Sequence, residues 1–260
     1  MKDAPQELIT QTLSRGVLTL TLGNGKAHAM SQAMISALHT ALSDAIADVD
    51  VRVIVLHGPG HIFCAGHDLK EIAQHRQDDD SGTAYLTRLF QTCAQMMQVL
   101  ATCPKPTLAQ VDGIATAAGL QLVASCDLAF VSDAARFCLP GVRNGGFCTT
   151  PAVAVSRAIG RKHLMELMLS GEDRGADWAL RVGLVNEVLP ADALSARVAA
   201  FALTLAGRNP RAIAAGKPAV LAQQTLDLES AYALATPVML GHFLDPARQR
   251  YEKDALFQPR

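Results

Sequence analysis

The chain has 260 residues, half of them apolar and 18% charged, with a formal net charge of −1. That is ample apolar material for one large buried core. The near-neutral balance offers no broad attraction for nucleic acid or an anionic membrane. The first residues, Met1-Lys-Asp-Ala-Pro-Gln-Glu7, carry acids and lead into no apolar leader, and no apolar run reaches the roughly 18–20 residues of a membrane span. A cytoplasmic protein is expected. Cysteines stand at 64, 93, 103, 126, 138 and 148 with no C-x-x-C pair, so reduced thiols are expected, with no metal.

Gly16–Leu22 alternates with period two and predicts a strand. Ser31 is placed to cap a helix running to about Asp48, with Met34, Leu38, Leu42 and Ile46 on one stripe. Arg52–His57 is a β-branched run suited to a buried strand. Asp68 is placed to cap a short helix, Leu69–His75. Gln74–Gly82, with three consecutive aspartates, predicts a solvated surface loop, and Thr83–Ala101 a long amphipathic helix.

Pro104-Lys-Pro106 introduces a strand, Thr107–Val111, and a helix follows at Ala117–Ser125. Asp127–Ser132 and Ala135–Leu139 predict further strands. Pro140–Pro151 is the least regular stretch, and Pro151 suits the first turn of the next helix. Short helices are expected at Arg161–Ser170 and Asp173–Val182, a last strand at Leu184–Val188, and a helix at Ala191–Gly207. Pro210–Leu221, Asp227–Leu240 and Pro246–Ala255 complete the chain as helices. Strands alternating with helices and then helices alone predict an α/β core with a helical C-terminal segment.

Two stretches carry the chemistry. Ile62-Phe-Cys-Ala-Gly-His-Asp-Leu69 and Val111-Asp-Gly-Ile-Ala-Thr-Ala-Ala-Gly-Leu-Gln121 each predict a strand emptying through small residues into a helix. The first N–H groups of a helix have no intrahelical partner. Two such turns placed together can aim two N–H groups at one oxygen. No G-x-S-x-G elbow is present, which argues against a serine hydrolase.

These stretches resemble motifs of the crotonase (enoyl-CoA hydratase/isomerase) superfamily. Phe63-Cys-Ala-Gly-His-Asp-Leu69 is similar to its F-x-A-G-x-D-L turn, and Val111-Asp-Gly113 with Ala117-Ala-Gly119 and Cys126-Asp127 to its V-x-G…G-G-G…C-D segment. Ser170-Gly171, Ala179–Asn186 and Val188-Leu-Pro190 are similar to its later motifs, so the likeness covers nearly the whole chain in order. The resemblance implies an α/β spiral of ββα units over residues 1–200, with a C-terminal helical trimerisation segment over 201–260. It implies no cofactor beyond a coenzyme A thioester as substrate or ligand, and a homotrimer or a hexamer of two trimers. It implies backbone oxyanion N–H groups at His67 and Ala118, and CoA contacts at Lys26, Ala65, Asp68 and Leu69.

The departures bear on the reaction. Hydratases of this family carry two glutamates, at positions occupied here by Gln121 and Gly141. Hydration needs a base for water and an acid for carbon, each worth about 100- to 10,000-fold. Glutamine does not ionise and glycine has no side chain. The expectation is a family member that binds acyl-CoA and has weak or no ordinary hydratase activity. Cys148 is an alternative reactive group, and the His67 side chain a second. The alternatives are a decarboxylase or thioester hydrolase on the same fold, and a non-catalytic acyl-CoA-binding or partner subunit.

Overall fold

In a computed structural model, described here for residues 7 to 256, the chain opens with a hairpin. β1 (Ile9–Ser14) runs antiparallel to β2 (Val17–Leu22). The two loop residues, Arg15 and Gly16, both have positive φ, at 50° and 80°, the twist that joins tight hairpins. β1 was not expected, because five of its six residues are exposed and it lacks an apolar run.

α1 (Gln32–Ala47) starts where Ser31 accepts the Met34 N–H at 3.1 Å. β3 (Val53–Gly58), β5 (Thr107–Val111) and β7 (Leu128–Ser132), with β10 (Glu187–Leu189) at the edge, belong to a six-stranded sheet ordered β1-β2-β3-β5-β7-β10, parallel beyond the hairpin. These strands are apolar on both faces because both are covered. Ile54 and Leu56 face the main core, whereas Val53 and Val55 face α8 (Ala191–Ala206), through its Leu194, Val198 and Ala202.

Each middle strand hands over to a short strand of a second sheet and then to helix. β3 leads to β4 (Ile62–Cys64), then α2 (Leu69–His75) and α3 (Thr83–Ala101). β5 leads to β6 (Ile114–Thr116) and α4 (Ala118–Ser125). β7 leads to β8 (Arg136–Cys138), a 3-10 turn at Pro140–Asn144, α5 (Thr149–Ala158) and α6 (Arg161–Ser170). These are the expected ββα units, and the second sheet runs β4-β6-β8 and ends on β9 (Arg174–Gly175).

Some boundaries differ from expectation. The loop ahead of α3 is tied by its acids: Asp80 accepts the N–H groups of Gly82 and Ala84, and Asp78 pairs with His75 at 2.8 Å. The expected helix Asp173–Val182 divides into β9 (Arg174–Gly175), antiparallel to β8, and α7 (Ala176–Arg181). The last strand, β10 (Glu187–Leu189), starts later than expected. Leu184 and Val185 instead return their N–H groups to the Ala179 carbonyl, closing α7.

Three helices follow: α9 (Pro210–Gln223), α10 (Leu228–Leu244) and α11 (Pro246–Tyr251), continued by a wider helical turn at Glu252–Leu256. The expected division at residue 200 falls within α8. α9 is fastened to the core by Lys217, whose Nζ donates to Asp127 at 2.6 Å and to the Lys105 carbonyl at 2.9 Å. α10 has no buried residue, and Tyr232, Met239, Leu240, Phe243 and Leu244 are exposed on it. No helix among the described residues is long and apolar enough to cross a membrane.

Candidate active site

β4 and β6 are parallel neighbours, paired at Ile62 with Ile114 and at Cys64 with Ala115. The turns that leave them therefore emerge together. Their approach is close enough to demand glycine twice. A Cβ on Gly66 would lie 2.9 Å from the Ala117 Cβ and 3.2 Å from the Ala118 nitrogen. A Cβ on Gly119 would lie 2.1 Å from the Cys64 carbonyl oxygen.

The first turn has a fixed orientation. Met30 donates to the Gly66 carbonyl at 2.8 Å, and Asp68 donates back to the Met30 carbonyl at 3.3 Å. In a parallel ladder, bonds that straddle a residue leave its own N–H pointing to the other side. The His67 N–H is thus turned away from Met30. In the second turn, Ala117 donates to the Cys138 carbonyl at 3.0 Å with φ 51° and ψ −117°. That backbone region suits glycine, and alanine there is strained. Ala118 is the first residue of α4, so its N–H has no helical partner. Among the described residues neither the His67 nor the Ala118 N–H has an acceptor.

The other predicted residues divide. Ala65 donates to the Ala27 carbonyl at 3.0 Å, which brings the exposed Lys26 beside the first turn. Leu69 is the first residue of α2 and is 70% exposed. Asp68 is committed to structure: its Oδ1 accepts the N–H groups of Lys70 and Glu71 as the cap of α2.

Gln121 lies one turn along α4 from Ala118 and is 5% exposed, with its Oε1 enclosed and unpartnered. The His67 ring packs edge-on against Phe90, centroids 5.2 Å apart, and its Nε2 is also enclosed and unpartnered. Burial pulls its pKa down to about 4, so the ring is neutral at pH 7. Phe90 was not expected at the site; its only sequence signal was its place on the apolar stripe of α3.

Gly141 is more than a missing side chain. Its N–H donates to the Cys148 Sγ at 3.2 Å, and its carbonyl accepts from Gly146 at 2.9 Å. The irregular loop folds back so that Cys148 fills the space a side chain at 141 would enter. Burial pushes the Cys148 thiol up, partly offset by the Gly141 N–H, so it is a thiol at neutral pH. Arg143 stands outside this contact, with Nη2 3.9 Å from Asp173. Among the described residues no group of three His, Cys, Asp or Glu side chains is placed to hold a metal.

The enoyl-CoA hydratase/isomerase family profile matches residues 12–252. The chain belongs to the enoyl-CoA hydratase/isomerase family. It is 39% identical over 228 residues to the mouse enoyl-CoA hydratase domain-containing protein 3, mitochondrial, covering 87% of this chain and 74% of the relative. It is 32% identical over 256 residues to the 2,3-dehydroadipyl-CoA hydratase of Escherichia coli, covering 96% and 95%. Among solved structures, an enoyl-CoA hydratase/isomerase family protein from Silicibacter pomeroyi matches at 57% identity and TM-score 0.88, covering 91% of this chain and 100% of the other. These matches bear out the crotonase resemblance and fold. The mouse relative is named as a mitochondrial protein, which gives the cytoplasmic expectation no support.

Proposed function

We propose that this family member binds acyl-CoA thioesters, with the thioester oxygen held between the N–H groups of His67 and Ala118. The observation that carries this reading is the pair of unpartnered N–H groups on two adjoining parallel turns. Each such donor is worth about 3–4 kcal/mol to an oxyanion in a water-excluded site. Lys26, Ala65 and Leu69, gathered at the first turn, are the proposed surface for the CoA portion.

Ordinary hydratase activity is weak or absent in this reading. Gln121 cannot take a proton from water, and the space beside Gly141 is filled by Cys148. The Cys148 thiol stays protonated at pH 7, and the neutral His67 imidazole, with its pKa pulled down to about 4, is a weak base for taking a proton from water. The weak basicity of His67 and the un-ionised Cys148 favour a second reading, an acyl-CoA-binding subunit without turnover. The exposed apolar face of α10 supports self-association, as a homotrimer or a pair of trimers.

The test is hydration of crotonyl-CoA, followed by loss of its conjugated absorbance beside an ordinary hydratase, with CoA-ester binding measured in the same sample. Binding with negligible hydration is expected. Hydration at the control rate would show that another group replaces both glutamates.

A further inference from the structure

Away from the candidate active site, a pocket of about 350 Å³ opens between the core and the C-terminal helices. Its walls come from the end of α1, the residues leading into β3 and β5, and the junction of α8 with α9. β3 and β5 enter the sheet at this end, whereas the turns bearing His67 and Ala118 follow from their other end. The six residues of β3, at roughly 3.3 Å each, put about 20 Å of strand between the two.

The wall is mainly apolar, with Ile46, Val49, Leu205 and Ile213, and its charge is lopsided. Arg52, Lys105, Arg208 and Arg211 line it against Asp48 alone. Lys105 is already engaged, donating to the Ala45 and Asp48 carbonyls at the end of α1. The Asp48 carboxylate accepts the Asp50 N–H at 2.8 Å. The arginines are less committed. Arg52 has its Nε enclosed without a partner, while its Nη2 donates to the Arg208 carbonyl at 3.3 Å. Among the described residues Arg208 and Arg211 form no ion pair. α9 also begins here, adding the partial positive charge of a helix start.

We infer that this pocket binds a small amphipathic anion, with one carboxylate or phosphate held by Arg52, Arg208 and Arg211 and a short apolar chain along Ile46, Val49, Leu205 and Ile213. A neutral apolar molecule leaves the four cationic side chains of the wall, set against the one carboxylate of Asp48, without a counter-charge. A purely hydrophilic anion leaves the apolar wall uncovered. The volume holds about a dozen non-hydrogen atoms at roughly 30 Å³ each, too few for a whole CoA thioester. The ligand spans the core and the start of α9, so it steadies the C-terminal segment against the sheet.

The test is calorimetric titration of the full chain with octanoate, octyl phosphate and octanol, repeated on the double variant Arg208→Glu/Arg211→Glu. Both residues are exposed, and circular dichroism checks that the variant is folded. Both anions are expected to bind about tenfold or more tighter than octanol, and the variant to lose about tenfold or more of that affinity. The tighter anion identifies the headgroup. Saturation with octanoyl-CoA should leave the octanoate titration unchanged. Binding of octanol as tight as the anions, unchanged affinity in the variant, displacement by octanoyl-CoA, or no anion binding would each overturn the proposal.

Discussion

Gly141 and Cys148 are packed so closely that any side chain at position 141 must displace the Cys148 segment. A Cβ there would lie 2.8 Å from the Cys148 nitrogen and 2.9 Å from its sulfur. Gly141→Ala should therefore destabilise the protein by about 1–3 kcal/mol, the usual range for overpacking. Adding Cys148→Ala should recover only part, because the closer contact is with backbone. Urea unfolding of the three variants checks this. Full stability of Gly141→Glu would mean that the loop opens readily and the glutamate site is merely empty.

Ala117 offers the opposite experiment. It holds φ 51° and ψ −117°, where alanine is strained and glycine is not. Ala117→Gly should stabilise by about 1 kcal/mol, strain relief of roughly 1–3 kcal/mol exceeding the added flexibility of the unfolded chain. A lower urea midpoint for the variant would show that the alanine methyl contributes more by packing than it costs in strain.

The neutral His67 predicts a pH dependence with a definite sign. Its folded pKa is near 4, below the ordinary value of 6.5. Between these values the unfolded state binds more protons, so stability falls as the pH drops through this window. The contribution reaches about 3 kcal/mol by pH 4. In His67→Gln the difference in unfolding free energy between pH 7 and pH 4.5 should shrink. An identical pH dependence in both proteins would place the acid sensitivity elsewhere, and the half-buried His57, also shifted downward by burial, is the next residue to replace.

Asp127 is a fastening point between sheet and tail. Its Oδ2 accepts from the Thr107 N–H at 2.8 Å, the Thr107 hydroxyl at 2.9 Å and Lys217 at 2.6 Å. Asp127→Ala strands a buried N–H and an ammonium, and should cost about 2–4 kcal/mol. Lys217→Met should cost less, since the carboxylate keeps two donors. Hydrogen exchange should rise across α9 in both. Protection of α9 equal to the unaltered protein would mean that its apolar contacts alone hold it.

Thiol chemistry separates the two readings of Cys148. With its thiol raised by burial, alkylation by iodoacetamide at pH 7 should be slow and should accelerate only above the ordinary thiol range. Fast alkylation of Cys148 at pH 7, located by mass spectrometry, would instead mark an activated thiolate and favour covalent chemistry.

Local residue chemistry by itself determined much of this protein. Ser31 and Asp68 start α1 and α2 through their own side chains, and α3 and β5 follow from apolar periodicity with Gly or Pro at their borders. The Ala65–Asp68 and Ala117–Gly119 turns, the family likeness and the two missing glutamates were legible for the same reason, since each depends on residues adjacent in the chain. The tertiary structure decided what no window of sequence contains. Met30 straddles His67 from another part of the chain, and Ala117 takes a glycine-like backbone because Cys138 claims its N–H. Cys148 closes over Gly141 when the irregular loop turns back. β9 and β10 sit where their partners β8 and β7 present a free edge, rather than where apolar runs alone predict them. Local propensity is set by neighbours in sequence, whereas these contacts are set by which distant segments pack together.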